Sequence, residues 1–169
     1  MSHDHVLMRP TEPTPELLRR GWANFATGVA VVTAHDGESP IGFTCQSVVS
    51  VSLEPPLMSF CPSRTSTTWP RLREIGTLCV NILSADQGKL CRQFAASGTD
   101  KFAGVAWSAT TNGAPAIGGA LAHIDAHMVA EHDAGDHTIV LAEVTSLSAD
   151  DSLDPLLFFR GGFGGFHGH

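Results

Sequence analysis

The sequence has little charge, and its acidic residues outnumber its basic ones. Charged side chains make up 16% of the 169 residues, and 10 Lys and Arg stand against 17 Asp and Glu, for a net charge of −7. This balance argues against the phosphate backbone of a nucleic acid, or an anionic membrane, as the main partner. We therefore expect neither nucleic acid nor membrane among its partners.

The sequence also lacks long apolar runs and paired cysteines. No run reaches the length of a transmembrane helix, and the polar N-terminus MSHDHVLMRPTEPTPE has no export signal. The four cysteines form no C-x-x-C pair, which excludes the usual zinc and redox motifs. They are Cys45, Cys61, Cys79 and Cys91. Their apolar neighbours are typical of reduced thiols, and we expect a cytoplasmic protein.

The familiar catalytic motifs are absent as well. The chain has no G-x-S-x-G nucleophile elbow, no carboxylate pair at hydrolytic spacing, and no G-x-G-x-x-G between a strand and a helix. These absences argue against acyl transfer, glycoside cleavage and a Rossmann fold. If the protein is an enzyme, a cofactor must supply the chemistry.

The length of 169 residues and the hydrophobic content of 43% predict one globular domain. We divide the chain into a flexible arm (1–13), a domain (14–162) and a Gly/His-rich tail (163–169). Thr14 is a predicted N-cap, so a helix should begin there, and residues 27–44 are predicted to form a β-hairpin. Two further helices are expected, one that ends before Gly76 and one that begins after an N-cap at Ser84. About seven short strands with two or three helices favour a mainly β fold, an antiparallel barrel.

The stretch from Ile41 to Trp69 is rich in serine and threonine and has no carboxylate except Glu54. Its second half precedes a predicted helix, where hydroxyls and N–H groups can hold a phosphate. The alternative is that these hydroxyls only cap the helix. Its first half, FTCQSVVSVS, adds polar side chains suited to a flat ring with a polar edge. The stretch thus indicates a binding surface that does no acid–base chemistry.

Four histidines, His123, His127, His132 and His137, recur at spacings of four and five. On a strand, His123 and His127 share a face but His132 falls on the other, so we do not expect a metal site. His137 differs because it lies in the sequence GDH at the start of a predicted strand, beside a glycine turn. We expect its ring to be accessible to solvent or to a ligand.

Five segments in a fixed order make the sequence similar to the flavin reductase-like family. They are GFTCQSVVSVSLEPPLMSFCPSRTS, LCVNIL, KFAG, GDH and LLFFRGG, and the resemblance extends from about Leu17 to Gly162. Members of this family are the small reductase components of two-component flavin-dependent monooxygenases. The resemblance implies a split β-barrel of the FMN-binding, Greek-key type, assembled as a homodimer with flavin near the subunit interface.

The resemblance also implies a function, that of an NAD(P)H-dependent flavin reductase. Such an enzyme passes hydride from NADH or NADPH to FMN or FAD, and the reduced flavin diffuses to a partner monooxygenase. Hydride moves directly between the two rings, so the protein positions them and no residue is assigned as catalytic. Two alternatives stay open: a non-catalytic split barrel that binds flavin or haem, and a histidine-dependent metal protein.

The implied site follows the matching motifs. The flavin ring is expected at Thr44, Cys45, Gln46, Ser47 and Ser50, backed by Phe60, Cys61 and Pro62. The phosphate or ribityl chain is expected at Ser63, Ser66 and Thr67, with Arg92, Lys101 and Phe102 closing the site. The dinucleotide is expected at His137, Phe159, Arg160 and Gly161, with His137 beside the nicotinamide. No residue is expected to bind a metal.

Overall fold

A computed structural model describes residues 11–166 and 168. The helices are α1 (Pro15–Trp22), α2 (Trp69–Ile75) and α3 (Gly88–Ala95). The strands are β1 (Thr27–Gly28), β2 (Ala30–His35), β3 (Pro40–Cys45), β4 (Val49–Leu53), β5 (Pro56–Phe60), β6 (Thr77–Ile82), β7 (Trp107–Ala109), β8 (Pro115–Ile117), β9 (Ala122–Ala134), β10 (His137–Ala149), β11 (Leu157–Phe159) and β12 (Gly162–Gly164). Within this part of the chain, no helix has the length and apolarity to cross a bilayer.

Seven strands form the central sheet, in the order β3-β2-β6-β9-β10-β5-β4, and every neighbouring pair is antiparallel. The two edge strands, β3 and β4, are joined by only residues 46–48. Because so short a connection holds the two edges near each other, the sheet curls into a barrel that is open between β3 and β4. The predicted mainly β split barrel is confirmed.

Strand β2 shows how the chain fills two hydrophobic clusters at once. Its side chains alternate between the faces of the sheet, and both faces are covered, so nearly the whole strand is buried. Val32 faces the barrel interior, where Phe60 and Trp69 meet edge to face at a centroid distance of 5.7 Å. Val31 faces a second cluster that contains Phe94 of α3. The barrel wall is thus packed on both sides.

Helices α1 and α2 begin and end largely as the sequence predicts. The Thr14 hydroxyl accepts a hydrogen bond from the Leu17 N–H at 3.2 Å, which confirms the N-cap of α1. Helix α2 is closed by Gly76, whose φ of 77° is the left-handed conformation that glycine adopts at little cost. No residue of α1 is buried, and Trp22 keeps 69% of its surface exposed. The apolar face of α1 is therefore open to solvent.

One prediction about local structure is wrong. Ser84 does not cap α3: the N-cap residue is Gln87, and the Ser84 hydroxyl instead lies 2.8 Å from Asp86 Oδ1 and 2.6 Å from the Gly119 carbonyl oxygen. The reason is a turn, closed by the Gln87 N–H and the Ser84 carbonyl, that delays the start of the helix. The short β7–β8 hairpin, Trp107–Ala109 paired with Pro115–Ile117, was not predicted from the sequence.

The predicted ends of the domain lie partly outside the described residues, namely residues 1–10 of the arm and His167 and His169 of the tail. Strand β12 overlaps the first residues of the predicted tail and pairs with β11. Its Phe163 ring packs against Phe158 at a centroid distance of 5.6 Å. The ordered domain therefore continues past Gly162.

Candidate functional site

Two clefts open along the β3 edge of the barrel. The first, here called the lysine cleft, has a volume of about 600 Å³. It is lined by Ser39, Pro40, Ile41, Gly42, Thr67, Thr68, Arg71, Gly98, Thr99, Asp100, Lys101 and Phe102. It thus combines the start of β3, the loop before α2 and the loop after α3.

Lys101 is the half-buried cation of the lysine cleft. Its Nζ lies 3.2 Å from the Gly42 carbonyl oxygen and 3.3 Å from Thr68 Oγ1. Burial lowers the pKa of this ammonium group from its usual value. A partly desolvated ammonium beside threonine hydroxyls is a suitable donor set for an anion.

Arg71 is a second cation in the lysine cleft, and it is paired. Its guanidinium contacts the carboxylate of Asp36, which also accepts hydrogen bonds from the backbone N–H groups of Glu38 and Ser39. The Ser39 hydrogen bond, followed by the Arg71 contact, holds the pKa of Asp36 well below its usual range. Arg71 is thereby fixed at the rim of the cleft.

The second cleft, here called the serine cleft, has a volume of about 420 Å³. Its lining residues are Phe25, Ala26, Thr27, Gly28, Val29, Ala30, Cys45, Gln46, Ser47, Val48, Val49 and Ile82. None of these side chains is charged. The hydroxyl of Thr27 is buried and finds no hydrogen-bond partner within residues 11–166 and 168. An unpaired buried hydroxyl is costly, and a ligand with a polar edge could pair it.

Ser47 ties the end of β3 to the end of β5. Its Oγ accepts the Cys61 N–H at 2.8 Å and lies 3.2 Å from Cys45 Sγ and 3.3 Å from the Cys61 carbonyl oxygen. Cys45 is buried, and this burial raises the pKa of its thiol. The structure thus brings together Cys45, Ser47 and Cys61, three of the residues predicted to surround a flavin ring.

His137 lies at the start of β10, directly after the two-residue turn that follows β9. Its Nδ1 is 2.7 Å from Asp136 Oδ1, and its backbone forms a bridge with Ser63. The hydrogen bond to His137 is the main cause of the lowered pKa of Asp136. The structure therefore places His137 beside the start of the hydroxyl-rich SRTST segment.

Arg160 and Gly161 form the two-residue turn between β11 and β12, with φ angles of 48° and 82°. This conformation is unfavourable for arginine, and contacts to the end of α1 hold it in place. The Arg160 N–H donates to the Ala23 carbonyl, and its guanidinium donates to Asn24 Oδ1 at 2.6 and 2.9 Å. The same guanidinium stacks over the Phe159 ring at 4.9 Å.

The predicted flavin residues separate into groups. Cys45, Gln46 and Ser47 line the serine cleft, whereas Thr67, Lys101 and Phe102 line the lysine cleft. Thr44, Ser50, Phe60, Cys61, Pro62, Ser63, Ser66 and Arg92 line neither. Phe60 is fully buried in the barrel interior, so it cannot contact a ligand and can only pack beneath the residues that do. Arg92 instead stacks over Phe163 at 5.0 Å.

Two predicted hydroxyls have structural partners. The Thr44 hydroxyl donates to the Cys91 carbonyl at 2.7 Å, which ties β3 to α3. Ser66 Oγ accepts the Trp69 N–H at 3.1 Å, so it serves the start of α2, the capping role that the sequence offered as an alternative. Either oxygen keeps capacity for a further hydrogen bond.

Sequence reasoning missed several residues of the two clefts, chiefly Thr27, Gly42, Thr68 and Arg71. Thr68 and Arg71 belong to the same hydroxyl-rich segment and its helix, which was a usable signal. Gly42 carried no signal in the sequence, because what matters at this position is the absence of a side chain. A Cβ there would lie 3.0 Å from both Phe94 Cε1 and the Val32 carbonyl oxygen. Thr27 precedes a run of small apolar residues that read only as a strand.

The four histidines are dispersed among other partners. His123 Nε2 lies 2.8 Å from the Ile117 carbonyl oxygen, and His127 Nε2 lies 3.5 Å from Glu143 Oε2 on the neighbouring strand. Among the residues that the structure describes, no three His, Cys, Asp or Glu side chains are grouped as metal ligands would be.

Comparison with known proteins identifies the family. The model of the flavin reductase like domain matches residues 22–167. The chain belongs to this family. It is 42% identical over 151 residues to the reductase subunit HsaB of a flavin-dependent monooxygenase from Rhodococcus jostii, covering 89% of this chain and 77% of HsaB. It is 40% identical over 166 residues to the FMN reductase (NADH) SmoA of Agrobacterium fabrum, covering 98% and 94%.

The fold agrees with solved structures of flavin reductases. The NADH:FAD oxidoreductase SgcE6 of Streptomyces globisporus superimposes with a TM-score of 0.88 at 37% identity, covering 96% of this chain and 99% of SgcE6. A second structure of SgcE6 holds NAD and FAD fragments. Because the match covers almost the whole chain, the fold shared with SgcE6 includes the barrel core and the strands around both clefts.

Proposed function

We propose that this member of the flavin reductase-like family is an NAD(P)H:flavin oxidoreductase of the EC 1.5.1 class that supplies reduced flavin to a separate monooxygenase. Relatives named as reductase subunits of flavin-dependent monooxygenases support the proposal. Relatives named as an FMN reductase (NADH) and an NADH-dependent FAD reductase support NADH as the donor and FMN or FAD as the acceptor.

The pairing of two unlike clefts on strand β3 is the observation that carries this function. The lysine cleft offers Lys101 and threonine hydroxyls, which suit a phosphate. The serine cleft offers uncharged walls and the unpaired hydroxyl of Thr27, which suit a flat ring with a polar edge. Gly42 of the lysine cleft and Cys45 of the serine cleft are three residues apart on β3, about 10 Å along an extended strand, so the two clefts are close neighbours.

The residues of this chain bind and orient the reactants. A flavin held here would supply the redox chemistry by taking up hydride, which needs no acid or base from the protein. Gln46 and Ser47 would hold the ring edge, with Cys45 beside it. Lys101 and Thr67 would hold the phosphate. His137, fixed by Asp136, would contact the nicotinamide, and the turn that carries Phe159, Arg160 and Gly161 would receive the rest of the dinucleotide.

The homodimer belongs to the same proposal. Large apolar side chains are exposed in and just after α1 (Leu17, Leu18, Trp22 and Phe25) and on β4 (Val49, Val51 and Leu53), and two of them, Phe25 and Val49, line the serine cleft. Exposed apolar area of this kind is typical of a protein–protein interface. We expect a symmetric dimer by light scattering at micromolar concentration, and a monomer would contradict the interface. Four free thiols suit a reducing compartment, and we propose the cytoplasm.

The test is anaerobic mixing of the purified protein with NADH and an excess of FMN or FAD, with the flavin absorbance followed over time. Bleaching of many flavin equivalents per subunit is the expected result, and the same mixture without protein is the control. Tight binding of flavin or haem without bleaching would instead support the non-catalytic barrel. Bleaching that depends on an added metal would support a metal protein and contradict the proposal.

A further inference from the structure

Two aromatic side chains, here called the aromatic pair, adjoin the lysine cleft without lining it. His35 at the end of β2 and Trp107 of β7 have ring centroids 5.9 Å apart. Trp107 also meets the ring of Phe102, a lining residue of the cleft, edge to face at 6.1 Å. His35 in turn pairs in register with Pro40, which lines the cleft as well. The aromatic pair is thus continuous with the cleft wall at two places.

Both rings of the aromatic pair can be reached from solvent. Trp107 keeps 37% of its surface exposed, and His35 is half-buried. His35 Nδ1 accepts a hydrogen bond from the Gly37 N–H at 3.0 Å. Because Nδ1 is an acceptor, the neutral imidazole carries its proton on Nε2, which can donate to a ligand. The pair therefore offers an aromatic surface with one polar edge.

The hairpin that carries Trp107 is fixed to the barrel wall by buried polar groups. The Thr33 hydroxyl donates to the Pro115 carbonyl at 2.6 Å, and the Ile117 N–H donates to Asn81 Oδ1 at 2.7 Å. Ile117 is the register partner of Trp107 and is fully buried. An aromatic surface that is held in place before binding loses little conformational freedom when a ligand stacks on it.

The lysine cleft is larger than the single phosphate of FMN requires. Its volume of about 600 Å³ is in the range of sites that hold a whole small molecule. Its lining contains two cations, Lys101 and Arg71, and the carboxylate of Asp100, while Asp36 pairs with Arg71 from outside the lining. A guanidinium has five N–H donors, so Arg71 can bind a phosphate while Asp36 holds it in place. The cleft thus has cationic donors for two phosphates.

We propose that His35 and Trp107 bind the adenine of FAD, whose pyrophosphate lies in the lysine cleft between Lys101 and Arg71. The proposal rests on the proposed function, which places the flavin phosphate in this cleft. Adenine has a flat face that stacks on an indole ring and ring nitrogens that accept a hydrogen bond from His35 Nε2. FMN lacks the AMP group of FAD, so the aromatic pair makes FAD the preferred flavin.

The first test compares FAD with FMN by fluorescence titration of the full chain. Trp107→Leu should weaken FAD binding about 10-fold, as the loss of base stacking on an aromatic ring does, and leave FMN binding nearly unchanged. Trp107→Phe should keep most of the FAD affinity. His35→Leu should weaken FAD binding about 2- to 10-fold through the loss of one uncharged hydrogen bond. Phe166→Leu, at an exposed aromatic residue outside both clefts, is the matched control.

The second test uses ADP alone, which has the adenine and the pyrophosphate but no flavin ring. In an NMR titration of the labelled protein, ADP should shift the indole N–H signal that is missing from Trp107→Leu, and riboflavin should leave that signal in place. Because this titration needs no hydride transfer, it can succeed even if the protein bleaches no flavin. Failure of the proposed function and failure of the adenine site are thus separate results.

Three outcomes would overturn the adenine site. Equal losses of FAD and FMN affinity in Trp107→Leu would mean that Trp107 only supports the loop of Phe102. An indole signal of Trp107 that ADP does not shift would show that no adenine binds there. NADH carries the same adenine, so a higher KM for NADH in Trp107→Leu, with FAD affinity unchanged, would assign the surface to NADH instead of FAD.

Discussion

The lysine cleft and the serine cleft share strand β3 but differ in charge. The lysine cleft has the side chains of Lys101, Arg71 and Asp100 in its lining, whereas the serine cleft has no charged side chain there. A phosphate needs cations and donors, and direct hydride transfer between two rings needs neither. In the proposed function, strand β3 would thus present the two ends of a flavin to different surroundings, the phosphate to the lysine cleft and the ring to the serine cleft.

Removing the cation of the lysine cleft should have the largest effect. Lys101→Gln should weaken FMN binding by about 2–3 kcal/mol, since a hydrogen-bonded charge is lost, and should leave riboflavin binding nearly unchanged. The measurement is fluorescence titration of both flavins. Lys89 is the only other lysine of the chain and is exposed on α3, so Lys89→Gln is the matched control. An equal loss for FMN and riboflavin would remove the phosphate from this cleft.

The charge of Lys101 should also make the preference for FMN over riboflavin depend on pH. Burial lowers the pKa of Lys101, so its positive charge is lost, as pH rises, earlier than that of an ordinary lysine. The ratio of FMN affinity to riboflavin affinity should therefore fall on the approach to the usual lysine pKa of about 10.4. In Lys101→Gln the ratio should not change over that range, and a fall there would assign the titration to another group.

The next effect concerns packing, in which the two clefts also differ. A Cβ at Gly42 in the lysine cleft would lie 3.0 Å from Phe94 Cε1, whereas a Cβ at Gly28 in the serine cleft meets no atom within 4 Å. Gly42→Ala should lower the free energy of unfolding by about 2 kcal/mol through overpacking. Thermal melts should show a decrease of about 4–8 °C. Gly28→Ala is the control, and equal melting temperatures would contradict the tight floor of the lysine cleft.

A smaller effect separates phosphate binding from helix capping. Thr67 lines the lysine cleft, whereas Ser66 Oγ accepts the Trp69 N–H. Thr67→Ala should weaken FMN binding by about 1.5 kcal/mol and leave riboflavin unaffected. Ser66→Ala should instead destabilise the fold by about 1 kcal/mol, as loss of a cap does. Flavin titrations and thermal melts of both variants test these roles. Weaker FMN binding in Ser66→Ala, with a lower melting temperature in Thr67→Ala, would contradict them.

The sequence was informative where a local signal exists. The N-cap Thr14, the helix stop at Gly76 and the β2–β3 hairpin all follow from local chemistry, and each is found in the structure. The order of strands in the barrel is non-local and was not predicted; only the split-barrel class came through the family resemblance.

The site was harder to predict because its residues meet through space. Lys101 reaches Gly42 and Thr68 across loops that no pattern connects, and Phe60 and Arg92 turn toward a core and toward Phe163. Ser66 shows the limit most plainly, since a capping hydroxyl and a phosphate-binding hydroxyl look alike in a sequence.

The smallest effect is expected at the dinucleotide end. His137→Ala should raise the apparent KM for NADH about 2- to 10-fold, as the loss of one uncharged hydrogen bond does, with flavin affinity and melting temperature nearly constant. Activity should persist because the imidazole is not needed as a proton donor. His132, on the neighbouring strand, gives the control variant His132→Ala. Unchanged NADH kinetics, or joint loss of flavin and NADH binding by unfolding, would disprove the role of His137.

The most direct test of the division between the two clefts is an NMR titration of the labelled protein with FMN and, separately, with riboflavin. FMN should shift the backbone amide signals of both clefts, at Thr67 and Lys101 and at Gln46 and Ser47. Riboflavin should shift the signals of Gln46 and Ser47 and leave those of Thr67 and Lys101 in place. If FMN shifts the signals of only one cleft, or if both ligands give the same pattern, one flavin does not span the two clefts.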